Sequence, residues 1–145
     1  MSENKEEQFP FMIFMTVRAL IKKLNRVFNE HQIPISIEQF GLLVLLNEMP
    51  DELSQQEIAN FLEKDKSAVL RSIDLLENKG YLQRVSNSED RRVNRIQLTA
   101  EGKKMFEQAQ QIERQVIEQI EEGISVEERQ IFKKTLLHIR EAALH

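Results

Sequence analysis

A mainly α-helical fold with one small β-hairpin is predicted by three features of this 145-residue sequence. Glycine and proline are scarce, at 4 and 3 residues, so most of the chain lacks the breakers that punctuate sheets and long loops. Three serines stand three positions ahead of a Gln or Glu where an apolar-periodic run begins: Ser36 with Gln39, Ser54 with Glu57 and Ser125 with Glu128. That spacing lets a hydroxyl and a carboxylate or amide satisfy each other's backbone amides at a helix start, a capping box. Two runs of β character, YLQRVS and VNRIQLT, interrupt the helical period between residues 81 and 99.

Residues 10 to 30 read as a long helix, because Ile13, Val17, Leu20, Leu24 and Val27 recur at alternating spacings of four and three. Phe11, Phe14, Ile21 and Phe28 form a second stripe beside the first, and an apolar face that wide needs two partners. Pro34 stops this helix, and Ser36 opens the next, whose Phe40 and Leu42 to Leu46 predict near-complete burial. Ser54 opens a short helix ending near Lys64, with Ile58, Phe61 and Leu62 expected on its buried side.

A few residues later Asp65 is placed to cap DKSAVLRSIDLLENKG, which Lys79 and Gly80 close. Two helices joined by a turn of three or four residues have the helix-turn-helix layout. In the second, Val69, Ile73 and Leu76 fall on the core side, and the 100° step turns Lys66, Ser67, Leu70, Arg71 and Asp74 away. The hairpin follows directly, its strands joined by NSEDRR, giving a winged helix-turn-helix. Thr99 is placed to cap a fifth helix with an apolar stripe at Met105, Ala109, Ile112, Val116 and Ile120. Gly123 ends it, and a last helix carries Ile131, Phe132, Leu136 and Ile139.

Composition excludes several kinds of chemistry. With no cysteine there is no disulfide, thiolate nucleophile or Cys-ligated zinc. His31, His138 and His145 lack the spacing that sets two ligands on one helix face, so no metal and no cofactor are expected. No glycine-rich phosphate loop or nucleophile elbow occurs, the carboxylates have no nucleophile beside them, and no catalytic residue is assigned. The apolar run FPFMIFM is far shorter than the roughly 18 to 20 residues of a membrane span, and the expectation is a cytoplasmic protein with no membrane partner. The net charge is −4, yet Lys64 to Arg95 holds eight bases against five acids, a local +3 where a polyanion can be met.

The stretches LSQQEIANFLEKDKSAVLRSIDLLENKGYLQR and SEDRRVNRIQLTAEG resemble the MarR (multiple antibiotic resistance regulator) family, the second matching its wing signature of D-x-R, a spacer, then L-T-x-x-G. Helix order and length extend the resemblance over nearly the whole chain. It implies one domain over 1–145, with 10–33 and 103–145 as dimerisation helices and 36–102 as the winged DNA-binding region. It also implies a homodimer that binds a pseudo-palindromic operator in double-stranded DNA, represses transcription and releases DNA on binding a small aromatic or phenolic effector. The alternative is a winged-helix module that binds protein partners without DNA.

A helix set across a short turn leads into the major groove with its N-terminal residues. Lys66 and Arg71 are placed to meet guanine edges or phosphates, Ser67 to donate to phosphate or base, and Leu70 to touch a thymine methyl. Leu70 departs from the small polar residue common at this position in the family. Gln55 opens the preceding helix, where backbone amides can meet a phosphate. At the hairpin tip Arg91 and Arg92 are candidate minor-groove probes, with either one open to insertion, and the family pattern gives Asp90 the role of bracing a wing arginine. Arg84 and Arg95 on the strands are open to solvent, to phosphate, or to Glu89 and Asp90. The resemblance also suggests an effector pocket near Phe14, Met15 and Phe40.

Overall fold

The computed structural model describes residues 8–49, 53–86 and 94–145. The elements run α1 (Phe9–Glu30), α2 (Ile37–Glu48), β1 (Leu53–Ser54), α3 (Gln55–Leu62), α4 (Lys66–Asn78), β2 (Leu82–Ser86), β3 (Asn94–Leu98), α5 (Ala100–Glu121) and α6 (Val126–Leu144). Residues 1–113 and 114–145 form two compact units. The fold class is that expected from sequence, with one addition: β1 joins the hairpin as a third strand.

The helix starts follow from their caps. At α2 the Ser36 hydroxyl accepts from Gln39 N at 3.1 Å while Gln39 Oε1 accepts from Ser36 N at 3.0 Å. Asn25 of α1 adds a second lock by accepting from Ile37 N at 2.8 Å, which fixes the α1–α2 corner. Ser54 and Glu57 form the same reciprocal box at α3, and the Ser125 hydroxyl accepts from Glu128 N at α6. Asp65 occupies the position before α4, but its side chain makes no cap hydrogen bond. The short turn brings the chain into α4 with Asp65 at φ −58° and ψ 133°, and only its backbone carbonyl is engaged, by Ala68 N and Val69 N.

In the first unit α1, α2 and α5 meet through three aromatic rings. Phe40 packs edge-on to Phe28 at 5.6 Å and stacks on Phe106 at 6.0 Å. Around them Leu42, Leu43, Ile58, Val69, Ile73, Leu76, Leu82, Ile96 and Ala109 complete one buried cluster. The buried side of α3 differs from the sequence expectation: Ala59 is buried with Ile58, and Phe61 is 60% exposed. The 100° step explains the difference, since positions 58, 59 and 62 share one arc and position 61 lies beyond its edge.

The sheet order is β1-β3-β2, fully antiparallel, with Leu82 opposite Leu98, Arg84 opposite Ile96 and Leu53 also opposite Ile96. Alternation therefore puts Leu82, Arg84, Ile96 and Leu98 on the hairpin's core-side face and Val85 with Arg95 on the other.

The end of α4, the hairpin and the start of α5 converge on one junction. Gly80, at φ +83°, closes α4: its N–H donates to Glu77 O, and Tyr81 N donates to Leu76 O, the paired bonds of a Schellman motif. Across from it the Thr99 hydroxyl donates to Gly80 O at 2.5 Å and accepts from Gly102 N at 3.0 Å, while Thr99 N donates to Tyr81 O at 3.1 Å. A Cβ on Gly102 would lie 2.0 Å from that same Tyr81 carbonyl oxygen. The L-T-x-x-G signature thus has a local cause: the threonine caps α5, and the glycine lets α5 start against the backbone that ends α4.

Gly102→Ala should cost about 2–3 kcal/mol, because the neighbour that must move is backbone. Gly41→Ala, in the interior of α2 with nothing within 4 Å of the new methyl, should instead gain about 0.5–1 kcal/mol. Urea denaturation of both variants measures the contrast, and equal midpoints would contradict this account of the junction.

Candidate nucleic-acid interface

A tight turn, Glu63–Asp65, separates α3 from α4, with Glu63 in the left-handed region at φ 51°. Its N–H donates to Asn60 O and Lys64 N donates to Ala59 O, closing α3 so that α4 can leave in a new direction. Val69, Ile73 and Leu76 anchor α4 to the core. Their burial fixes which side of α4 is left outside: Lys66, Ser67, Leu70, Arg71 and Asp74 are all exposed, Leu70 at 40%. The structure therefore brings four of the sequence-predicted contact residues onto one outward surface, two of them cationic. Among the described residues the side chains of Lys66, Ser67 and Arg71 have no hydrogen-bond or ion-pair partner.

The two strand arginines are engaged with helices. Arg84 Nη2 lies 2.6 Å from Asp74 Oδ1 and its Nη1 lies 2.7 Å from Glu77 Oε1, so one guanidinium spans two carboxylates of α4. The register accounts for this: Arg84 stands on the core-side face of β2, just beyond Leu82, where it meets the polar flank of α4. Hydrogen bonding to Asp74 is the main reason its pKa is raised above the ordinary value. Arg95, opposite Ser54 in the sheet, reaches Glu57 at the first turn of α3, with Nη1 at 3.0 Å and 3.1 Å from the two carboxylate oxygens. Glu57 is held below its ordinary carboxylate value, first by the Ser54 backbone N–H and then by Arg95.

These ties were not readable from sequence. Asp74 and Glu77 are visible as carboxylates three apart on one helix, but their meeting with Arg84 depends on how the hairpin folds back. Lys79, counted in the basic window, donates through its ammonium to the Pro34 carbonyl and holds the end of α4 against the α1–α2 loop. Gln55 is half-buried at the start of α3, and its neighbour Gln56 donates to Asn60 Oδ1 at 2.8 Å. Asp90, Arg91 and Arg92 lie outside the described residues.

Of the suggested pocket residues, Phe40 is core, at 2% exposure between Phe28 and Phe106. Phe14 and Met15 are exposed on α1, where Arg18 sits over the Phe14 ring at 5.7 Å. Met15, Arg18, Ala19, Ile21 and Lys22 line an open depression of about 580 Å³ on that helix. No group of three or more His, Asp or Glu that could hold a metal occurs among the described residues, and no described helix is long and apolar enough to cross a membrane.

A short helix, a three-residue turn, an outward-facing second helix and a braced antiparallel hairpin define a winged helix-turn-helix protein. The family model that matches residues 32–93 is that of the MarR family. The HTH-type transcriptional regulator YdgJ of Bacillus subtilis (strain 168) is 30% identical over 106 residues, 73% of this chain and 64% of that protein. Among solved structures, the S. aureus MepR–DNA complex superposes with a TM-score of 0.84 at 25% identity, covering 94% of this chain and 99% of that one. CouR from Rhodococcus jostii RHA1, bound to p-coumaroyl-CoA, superposes at 0.80 with 22% identity over 95% of each chain, a likeness of fold. Residues 32–93 thus match the MarR family model, and the chain resembles a MarR-family structure from Rhodococcus sp. RHA1 in fold over 95% of its length.

Glu57→Gln should keep the reciprocal cap with Ser54 but lose the charge pairing with Arg95, at a cost below about 1 kcal/mol at pH 7. Because the folded-state pKa of Glu57 is depressed, its contribution is complete above the ordinary value of 4.5 and fades as pH falls through the lower folded value. Thermal melts of both proteins should differ at pH 7 and converge under acid. A difference that stays constant with pH would contradict the assignment.

Proposed function

We propose that this chain is a homodimeric regulator of transcription that binds a pseudo-palindromic site in double-stranded DNA and acts as an effector-responsive repressor. The observation that carries this reading is the outward face of α4, where Lys66, Ser67, Leu70 and Arg71 stand together with no described partner on the two cations. Entering the major groove, Lys66 and Arg71 meet guanine edges or phosphates, Ser67 donates, and Leu70 supplies an apolar contact for a thymine methyl. Gln55 opens α3, whose first-turn amides can meet a phosphate. Arg91 and Arg92, with Asp90 as brace, belong to the segment joining the two strands, and we assign them to the minor groove. MepR, which resembles this chain at 25% identity, has been captured with DNA, which supports the same use of the fold here.

Dimerisation is supported by apolar surface that the single chain leaves uncovered. On α1, Phe9, Phe11, Met12, Phe14, Met15 and Val17 are between 46% and 60% exposed. On α6, Ile131, Phe132, Leu137 and Leu144 are between 48% and 66% exposed, and none of its 19 residues is buried. Surfaces of this kind call for a protein partner, and a second copy supplies one with matching faces. Two copies related by a two-fold axis set their α4 helices roughly 34–36 Å apart, one turn of DNA. The effector reading takes support from CouR, bound to p-coumaroyl-CoA, and in this chain we assign it to the neighbourhood of Phe14 and Met15.

Sequencing of genomic fragments retained by the purified protein should enrich a pseudo-palindrome, and affinity for it should fall steeply with salt as phosphate counterions are released. Arg71→Ala should cost about 1–3 kcal/mol of binding and relax preference at one position of each half-site. Failure to enrich any site, or a flat salt response, would contradict the proposal. A protein-only module would give that result, and retention of full affinity by an Arg91→Ala, Arg92→Ala variant would contradict the minor-groove assignment.

A further inference from the structure

We infer that Arg84 is a positioning residue for DNA binding: it neutralises Asp74 on the reading face of α4 and holds the hairpin against that helix. The inference rests on the function proposed above and extends it to a residue that faces the core side of the hairpin. Asp74 follows Leu70 by four positions and Arg71 by three, so it stands on the same outward surface as the two cations proposed to meet DNA. Its side chain is 53% exposed, and left alone its carboxylate would confront the phosphate backbone. Arg84 Nη2 sits 2.6 Å from that carboxylate, while the second arm of the guanidinium grips Glu77 at 2.7 Å. The arginine side chain itself is only 22% exposed, so it is less a DNA contact than a counter-charge supplied from beneath the surface.

The bidentate geometry matters because the two carboxylates lie on one helix and the arginine on one strand. A single planar group bonded to both fixes the rotation of β2 about α4 as well as the distance. Arg95 with Glu57 makes a separate tie from β3 to the start of α3, so the hairpin is held to each of the two helices by its own ion pair. The ties are independent in their residues, and the effect of Arg84 can be isolated. Lysine cannot replace it, since one ammonium cannot span Asp74 and Glu77 in the same plane.

The test measures affinity for the enriched genomic site in the full-length wild type, Arg84→Ala, Asp74→Asn and the Arg84→Ala, Asp74→Asn double variant, alongside their melting temperatures. Arg84→Ala should bind about tenfold more weakly, the scale of one uncompensated charge close to phosphate. Asp74→Asn should stay within about threefold of wild type, since Arg84 keeps Glu77. The double variant should recover the part of the lost affinity that is due to the bared carboxylate while melting no higher than Arg84→Ala, a separation that a purely structural role would not produce. The inference is overturned if folded Arg84→Ala binds as wild type does, or if the double variant binds no better than Arg84→Ala. A wild-type chain with no affinity for any duplex overturns the proposed function and this inference with it, which distinguishes the two failures.

Discussion

The fold depends most on the point where the backbone of Tyr81 is shared. Its N–H completes the end of α4, its carbonyl accepts from Thr99, and the same carbonyl lies where a side chain on Gly102 would be. Three elements are thereby fixed within a few residues: α4 by Gly80, the returning strand by Thr99, and α5 by the absence of a Cβ. The core behind this junction is close-packed hydrocarbon that accepts volume-conserving apolar swaps, a latitude that a backbone contact does not have. The orientation of the hairpin relative to α4 starts here, before any charge is considered.

Charge then completes what the junction begins. Among the described bases between Lys64 and Arg95, three are used inside the protein: Arg84 on Asp74 and Glu77, Arg95 on Glu57, and Lys79 on the Pro34 carbonyl. This reconciles a chain of net charge −4 with a DNA-binding reading. The internal ion pairs counter carboxylates that would repel phosphate, while Lys66 and Arg71 stand exposed on α4. Each exposed pair is worth little as stability, roughly 0–1 kcal/mol, so their value lies in geometry.

Much of the fold was legible because it is written locally. The Ser36 and Ser54 boxes, the Gly80 stop and the Thr99 cap each act within four residues of themselves, and all appear in the structure with the bonds expected of them. The outward face of α4 was also readable, since a strict helical step and three core anchors leave no choice of side. What could not be read depends on contacts between elements distant in sequence. β1 is only two residues long and exists because β3 offers it an edge. Phe61 is apolar and within one turn of Ile58, yet it is Ala59 that shares the buried arc with Ile58, and that choice of side is made by which neighbours α3 packs against. Arg84 and Arg95 carry no mark of their partners, which the hairpin brings within reach only after it folds back.

We propose that the outward face of α4 lies in the major groove, once per half-site. The chain has no cysteine, so Ser67→Cys introduces a unique thiol on that face. Disulfide cross-linking of this variant to duplexes carrying a thiol-tethered base at successive positions of the enriched site maps where α4 lies. Cross-links should form from major-groove tethers at two symmetric positions about 10 base pairs apart, and far more weakly from minor-groove tethers. Stable binding of the duplex with no major-groove cross-link at any position would contradict it.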